Sequence, residues 1–90
     1  MEIEIFTRED DVLCAEAKKI VQKVASEFGD KVTVKEVDVD TERGDEEEDN
    51  LGVLSTPTVI IAKDMRITGV PKEKVLRQAI QKELDLIENE

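Results

Sequence analysis

The sequence predicts an α/β fold: a four-stranded mixed sheet with helices on both faces, in the order β-α-β-α-β-β-α. Three observations predict it. Short runs rich in β-branched residues alternate with longer stretches whose apolar residues recur every three or four positions. Strands separated by helices imply a parallel pair. Two late strands with only Lys63-Asp64 between them imply an antiparallel edge. At 90 residues the chain has room for one domain, 1–90, with one core.

Glu2 to Phe6 alternates polar and apolar residues, with Ile3 and Ile5 β-branched, and reads as the first strand. Thr7-Arg8-Glu9-Asp10 is a polar connection. From Asp11 to Phe28 the pattern turns helical. Leu13, Ala17, Ile20, Val21, Val24 and Phe28 share a face, and Cys14 falls on or beside it. Gly29 is expected to close this helix as a left-handed cap.

Val32, Val34, Val37 and Val39 mark a second strand. The first two point to one face and the last two to the other, as in an interior strand covered on both sides. The acidic stretch from Thr41 to Asn50 allows only a short helix, with Asp45 as its N-cap. Thr58 to Ala62 and Met65 to Thr68 supply the third and fourth strands. Pro71 suits the first turn of a last helix, whose apolar face is Val75, Leu76, Ala79, Ile80, Leu84 and Ile87.

Charge and cysteine usage narrow the function. The net charge of −10 argues against nucleic acid and anionic membranes as partners, because both call for a basic surface. No run approaches the roughly 18 apolar residues of a membrane span. The opening Met1-Glu2-Ile3-Glu4-Ile5 lacks the basic start and long apolar run of a secretory leader, and a free cysteine fits a reducing cytoplasm. The expected location is therefore cytoplasmic. With Cys14 alone, the chain can form no internal disulfide, and without histidine it has neither a zinc ligand set nor a catalytic triad. An EF-hand loop begun at Asp38 puts Arg43 where glycine is required and Gly44 one place late, so no metal is expected. Asp45-Glu46-Glu47-Glu48-Asp49 reads instead as a solvated helix face.

Four stretches carry a family resemblance. They are Ile3-Glu4-Ile5-Phe6-Thr7, Val37-Asp38-Val39-Asp40, Gly52-Val53-Leu54-Ser55-Thr56-Pro57-Thr58 and Thr68-Gly69-Val70-Pro71. Together with the element order, they resemble the thioredoxin/glutaredoxin superfamily, in particular its small archaeal-type glutaredoxin-like thioredoxins. The resemblance covers nearly the whole chain. It implies a thioredoxin-like fold, and no cofactor is expected.

The departure falls at the redox motif, which reads Asp11-Val12-Leu13-Cys14. In the family an attacking cysteine opens the first helix, and a second one three residues later resolves the mixed disulfide. Counting from Phe6 puts Asp11 at the attacking position and Cys14 at the resolving one. The other alignment slips three residues and makes Cys14 the leading thiol of Cys14-Ala15-Glu16-Ala17. A carboxylate can hold the helix start as a cap, accepting an N–H from Leu13 or Cys14, but it cannot exchange with disulfides. The plain reading makes Asp11 a cap and Cys14 a small core thiol. The functional reading makes Cys14 a thiol that reacts singly.

Pro57 also carries two readings: a trans proline at a strand start, or the family's cis bond to Thr56. The resemblance implies that the backbone there pairs with a substrate like an added strand. Asp11, Thr56 and Pro57 are therefore the expected binding residues, and Cys14 the candidate catalytic one. Three functions follow. The favoured one is a protein- or peptide-binding module related to thiol–disulfide oxidoreductases, without ordinary two-cysteine turnover. The others are a monothiol redox protein using Cys14 with glutathione or a partner, and an acidic interaction subunit. The oligomeric state is not encoded in any of these features.

Overall fold

The computed structural model describes residues 1–40 and 55–89. In chain order they form β1 (Glu2–Thr7), α1 (Val12–Ser26), a 3-10 turn (Gly29–Lys31), β2 (Thr33–Asp38), β3 (Thr58–Ile61), β4 (Met65–Thr68) and α2 (Glu73–Glu88). The short helix expected over Thr41–Asn50, with its Asp45 cap, lies outside the described residues, as does the Gly52-Val53-Leu54 stretch. The sheet runs β2-β1-β3-β4. β1 pairs parallel with β2 and antiparallel with β3, and β3 pairs antiparallel with β4. This is the predicted mixed sheet.

The register fixes the core. Ile3 lies opposite Ile61 and Ile5 opposite Val59, so four aliphatic side chains form one patch on a single sheet face. Ala17, Val21 and Val24 of α1 and Leu76, Ile80 and Leu84 of α2 cover that patch. Each large aliphatic buried this way contributes about 1.5–3 kcal/mol relative to exposure. The opposite face holds a second cluster, Phe6, Val37, Val39 and Ile60. β1 is thus buried on both faces, although its alternation reads like a half-exposed strand; Glu4, on the second face, is buried as well.

Several expectations need correction. β2 was expected inside the sheet but is an edge strand, because β1 takes its second partner from β3. Its valines still divide as expected: Val32 and Val34 join the helix-side core, while Val37 and Val39 join the other cluster. In α1 the buried row is Cys14, Ala17, Val21 and Val24, at steps of three, four and three. Leu13, one residue off that row in the first turn, is 54% exposed. The helix ends at Ser26 rather than Phe28. Gly29 is left-handed at φ 57°, but it opens the 3-10 turn instead of capping the helix.

At the other end, Pro71 precedes the helix rather than sitting in its first turn: Lys72 is the N-cap and α2 begins at Glu73. Val75 and Ile87 are largely exposed, and the buried face is Leu76, Ala79, Ile80, Glu83 and Leu84. The β3–β4 connection takes in Ala62 as well, since Ala62 and Lys63 are both left-handed. Among the described residues no helix is long and apolar enough to cross a membrane.

Candidate functional site

The site residues gather where β1 ends and β3 begins. Phe6 lies opposite Thr58 in the antiparallel register. The segment that leaves β1 toward Asp11 therefore emerges at the same end of the sheet as Thr56-Pro57, which enters β3. Asp10 turns the chain there with a left-handed backbone, φ 67°, a conformation that aspartate tolerates better than most residues.

Asp11 starts the helix. Its backbone is extended (φ −97°, ψ 116°) and its Oδ1 accepts the Leu13 N–H at 2.9 Å. Its carbonyl already accepts the Ala15 N–H at 3.1 Å, so Asp11 is half inside α1. An amide donor at a helix start needs an acceptor, and the carboxylate supplies one. No other acidic side chain lies in the first turn.

Cys14 follows one turn in and faces the core at 1% exposure. Its Sγ accepts the Arg8 N–H at 3.4 Å. Sequence reasoning missed that contact, since nothing in residue types signals a backbone donor folding back onto a sulfur. Val12 and Leu13 point the other way, 74% and 54% exposed. Arg8 itself reaches Asp40 at 3.6 Å across the ends of β1 and β2.

On the β3 side the Thr56–Pro57 peptide bond is cis. Pro57 is buried, and its carbonyl accepts the Gly69 N–H at 2.8 Å. Gly69 has φ 87°, a value that favours glycine and allows the turn leading to α2 to close onto the proline. Thr58 Oγ1 donates to the Ser55 carbonyl at 2.6 Å, holding the approach to Pro57 from the other side. Thr56 is half-buried.

The Arg77 guanidinium, donating to Glu27 at 2.8 Å through both Nε and Nη2, holds the Glu27 carboxyl below its ordinary value. Burial and a hydrogen bond with Asp64 push Glu83 up. Among the described residues, no three acidic, cysteine or histidine side chains are grouped to hold a metal ion.

A family model described as a thioredoxin domain matches residues 1–81. The chain is 32% identical over 84 residues to a thioredoxin of Methanocaldococcus jannaschii, covering 93% of this chain and 96% of that one. It is 36% identical over 80 residues to a probable thioredoxin of Archaeoglobus fulgidus, covering 89% of this chain and 86% of the other. Among solved structures, thioredoxin 1 of Thermosipho africanus superposes with a TM-score of 0.78 over the full length of both chains, at 22% identity. At that identity the likeness is one of fold.

Proposed function

This chain belongs to the thioredoxin family, and from that premise we propose that it is a protein- or peptide-binding module that has given up two-cysteine turnover. One observation carries the proposal: the bond from the Leu13 N–H to Asp11 Oδ1 at the start of α1. Asp11 stands where the resemblance puts the attacking cysteine, at the opening of the first helix, with Cys14 a turn further in. A carboxylate has no disulfide chemistry, and Cys14 is the only sulfur nucleophile in the sequence. What remains for function is the binding edge, with Asp11, Thr56 and Pro57 as its residues. An extended peptide, or the peptide-like glutathione, would lie along Thr56 as an added strand. A cytoplasmic location agrees with a single unpaired thiol.

The test is insulin precipitation in dithiothreitol, run with this protein, without it, and with an ordinary thioredoxin. The expected result is precipitation at the uncatalysed rate. Acceleration matching the ordinary thioredoxin would overturn the proposal.

A second reading has one observation in its favour. The Arg8 N–H gives the Cys14 sulfur a hydrogen-bond donor, as a singly reacting thiol would use. Its 1% exposure weighs against that reading, because a buried sulfur cannot meet a large disulfide substrate.

A further inference from the structure

Two apolar side chains stand out of the first turn of α1, and the rest of that helix's solvent face does not continue them. Beyond Val12 and Leu13 its exposed residues are Ala15, Glu16, Lys19, Gln22, Lys23 and Ser26. The apolar patch is thus confined to the start of the helix, at the end of the sheet where Thr56-Pro57 enters β3. Carboxylates surround it. Glu9 and Asp10 are exposed just before it, Asp11 is half-buried at its base, and Glu16 lies one turn along the helix from Val12.

Among the described residues, the nearby cations do not offset this charge. Arg8 is held by Asp40 at 3.6 Å and Lys18 by Glu36 at 3.6 Å. Lys19 lies two turns beyond Val12, about 10 Å along the axis, and neighbours Glu16 three residues before it. The helix start itself supplies only about half a positive charge, against the three carboxylates Glu9, Asp10 and Asp11. The whole chain carries −10, so the long-range field has the same sign.

We infer that this face takes an extended protein segment in which an aliphatic or aromatic side chain is flanked by lysine or arginine. The inference rests on the proposed binding edge and adds its specificity: Val12 and Leu13 take the apolar side chain, while Glu9 and Asp10 select the basic flanks. Exposed ion pairs each change binding by about 1.5- to 5-fold, so two of them set a preference of about tenfold for basic over acidic flanks. That preference shrinks as salt shortens the screening length.

The probes are three short fluorescein-labelled peptides sharing a Val-Leu-Phe centre, flanked by lysines, by serines or by glutamates. Binding is read by fluorescence anisotropy at low and at physiological salt. The lysine peptide should bind about tenfold more tightly than the glutamate peptide at low salt, with the serine peptide between them. The double variant Glu9→Gln, Asp10→Asn should erase that order, and Leu13→Ser should weaken all three peptides. Both variants alter exposed side chains, and asparagine tolerates the left-handed backbone at position 10. Equal binding of the three peptides, still weakened by Leu13→Ser, would overturn the charge selection and leave the binding edge standing. Lysine-peptide binding that ignores both variants would overturn the inference as diffuse attraction to an acidic protein. Failure of all three peptides to bind would overturn the binding edge itself.

Discussion

The substitution Asp11→Cys puts a second thiol three residues before Cys14, and the geometry of α1 sets the outcome. The Asp11 carbonyl already accepts the first helical bond from Ala15, so its Cα sits close to the helical path. A rise of about 1.5 Å per residue and a radius of about 2.3 Å put Cα atoms three positions apart at about 5 Å. That falls inside the disulfide range of about 4.4–6.8 Å. Closing a four-residue ring should contribute about 2 kcal/mol by restricting the unfolded chain. Losing the carboxylate that accepts the Leu13 N–H should cost about 1 kcal/mol. The oxidised variant should therefore be about 1 kcal/mol more stable than the parent, and the reduced variant about 1 kcal/mol less stable. For a domain of this size, each difference moves the melting temperature by about 4–8 °C. Thermal unfolding by circular dichroism, with and without dithiothreitol, reads both signs, and mass spectrometry reads the loss of two hydrogens. Asp10→Cys is the control, since Asp10 lies a residue further away in a left-handed turn at φ 67°. If Asp10→Cys cross-links as readily, or neither variant cross-links, then Asp11 does not occupy the place of the attacking cysteine.

Two further outcomes follow from burial. Cys14, at 1% exposure, should react with iodoacetamide only through local opening. The folded protein should be alkylated at least about a hundredfold more slowly than the urea-unfolded chain, and comparable rates would mean the sulfur is accessible. Glu83 is held above the ordinary 4.5 by burial first and by its bond with Asp64 second, with Lys82 opposing. A carboxyl raised in the folded state contributes stability that is complete below the unfolded pKa and is lost as pH rises through the folded one. Glu83→Gln should thus leave the urea midpoint nearly unchanged at about pH 3.5 and raise it at pH 8. An equal shift at both pH values would show that the effect is not proton-linked.

The parts of the fold legible in the sequence are those in which local pattern and tertiary environment agree. Ile3, Ile5, Val59 and Ile61 are β-branched, and the structure uses them as one cross-strand patch. Asp11 has the chemistry of a cap, and it caps. The failures have physical causes. Periodicity gives the angle of a residue around a helix but not how far along the helix the sheet extends. Leu13, Val75 and Ile87 belong to apolar patterns yet lie in terminal turns, where they are exposed. Glu83 is the converse case, three residues after Ile80 and next to Leu84, so helical geometry buries it despite its charge. The edge position of β2 was hidden because the four valines in and beside it report covered faces, while strand order depends on which partner β1 takes on its other side. In the site, the Arg8 N–H bond to Cys14 depends on how the loop folds back, and no residue type announces it.

On the proposed reading, in which Asp11 stands at the attacking position, the fold outlasts the redox pair because the two draw on different residues. The core that covers the sheet is built from Ile3, Ile5, Val59, Ile61, Val21, Val24, Leu76 and Ile80, none of them part of the Asp11–Cys14 motif. Asp11 makes a different contribution, because it ends a connection and must satisfy amide donors at the start of α1. A thiolate meets that demand by accepting N–H bonds, and so does a carboxylate, with about 1 kcal/mol at stake if neither is present. On that reading aspartate removes the chemistry while keeping the helix start, and the Pro57 carbonyl accepts the Gly69 N–H independently of it. The same logic limits what else this position accepts. Ser, Thr and Asn can also accept the Leu13 N–H, so they should preserve the fold at position 11, whereas Val or Leu should cost the full cap. Urea unfolding of Asp11→Asn beside Asp11→Val decides the matter: equal midpoints would show that the first turn of α1 does not depend on this acceptor.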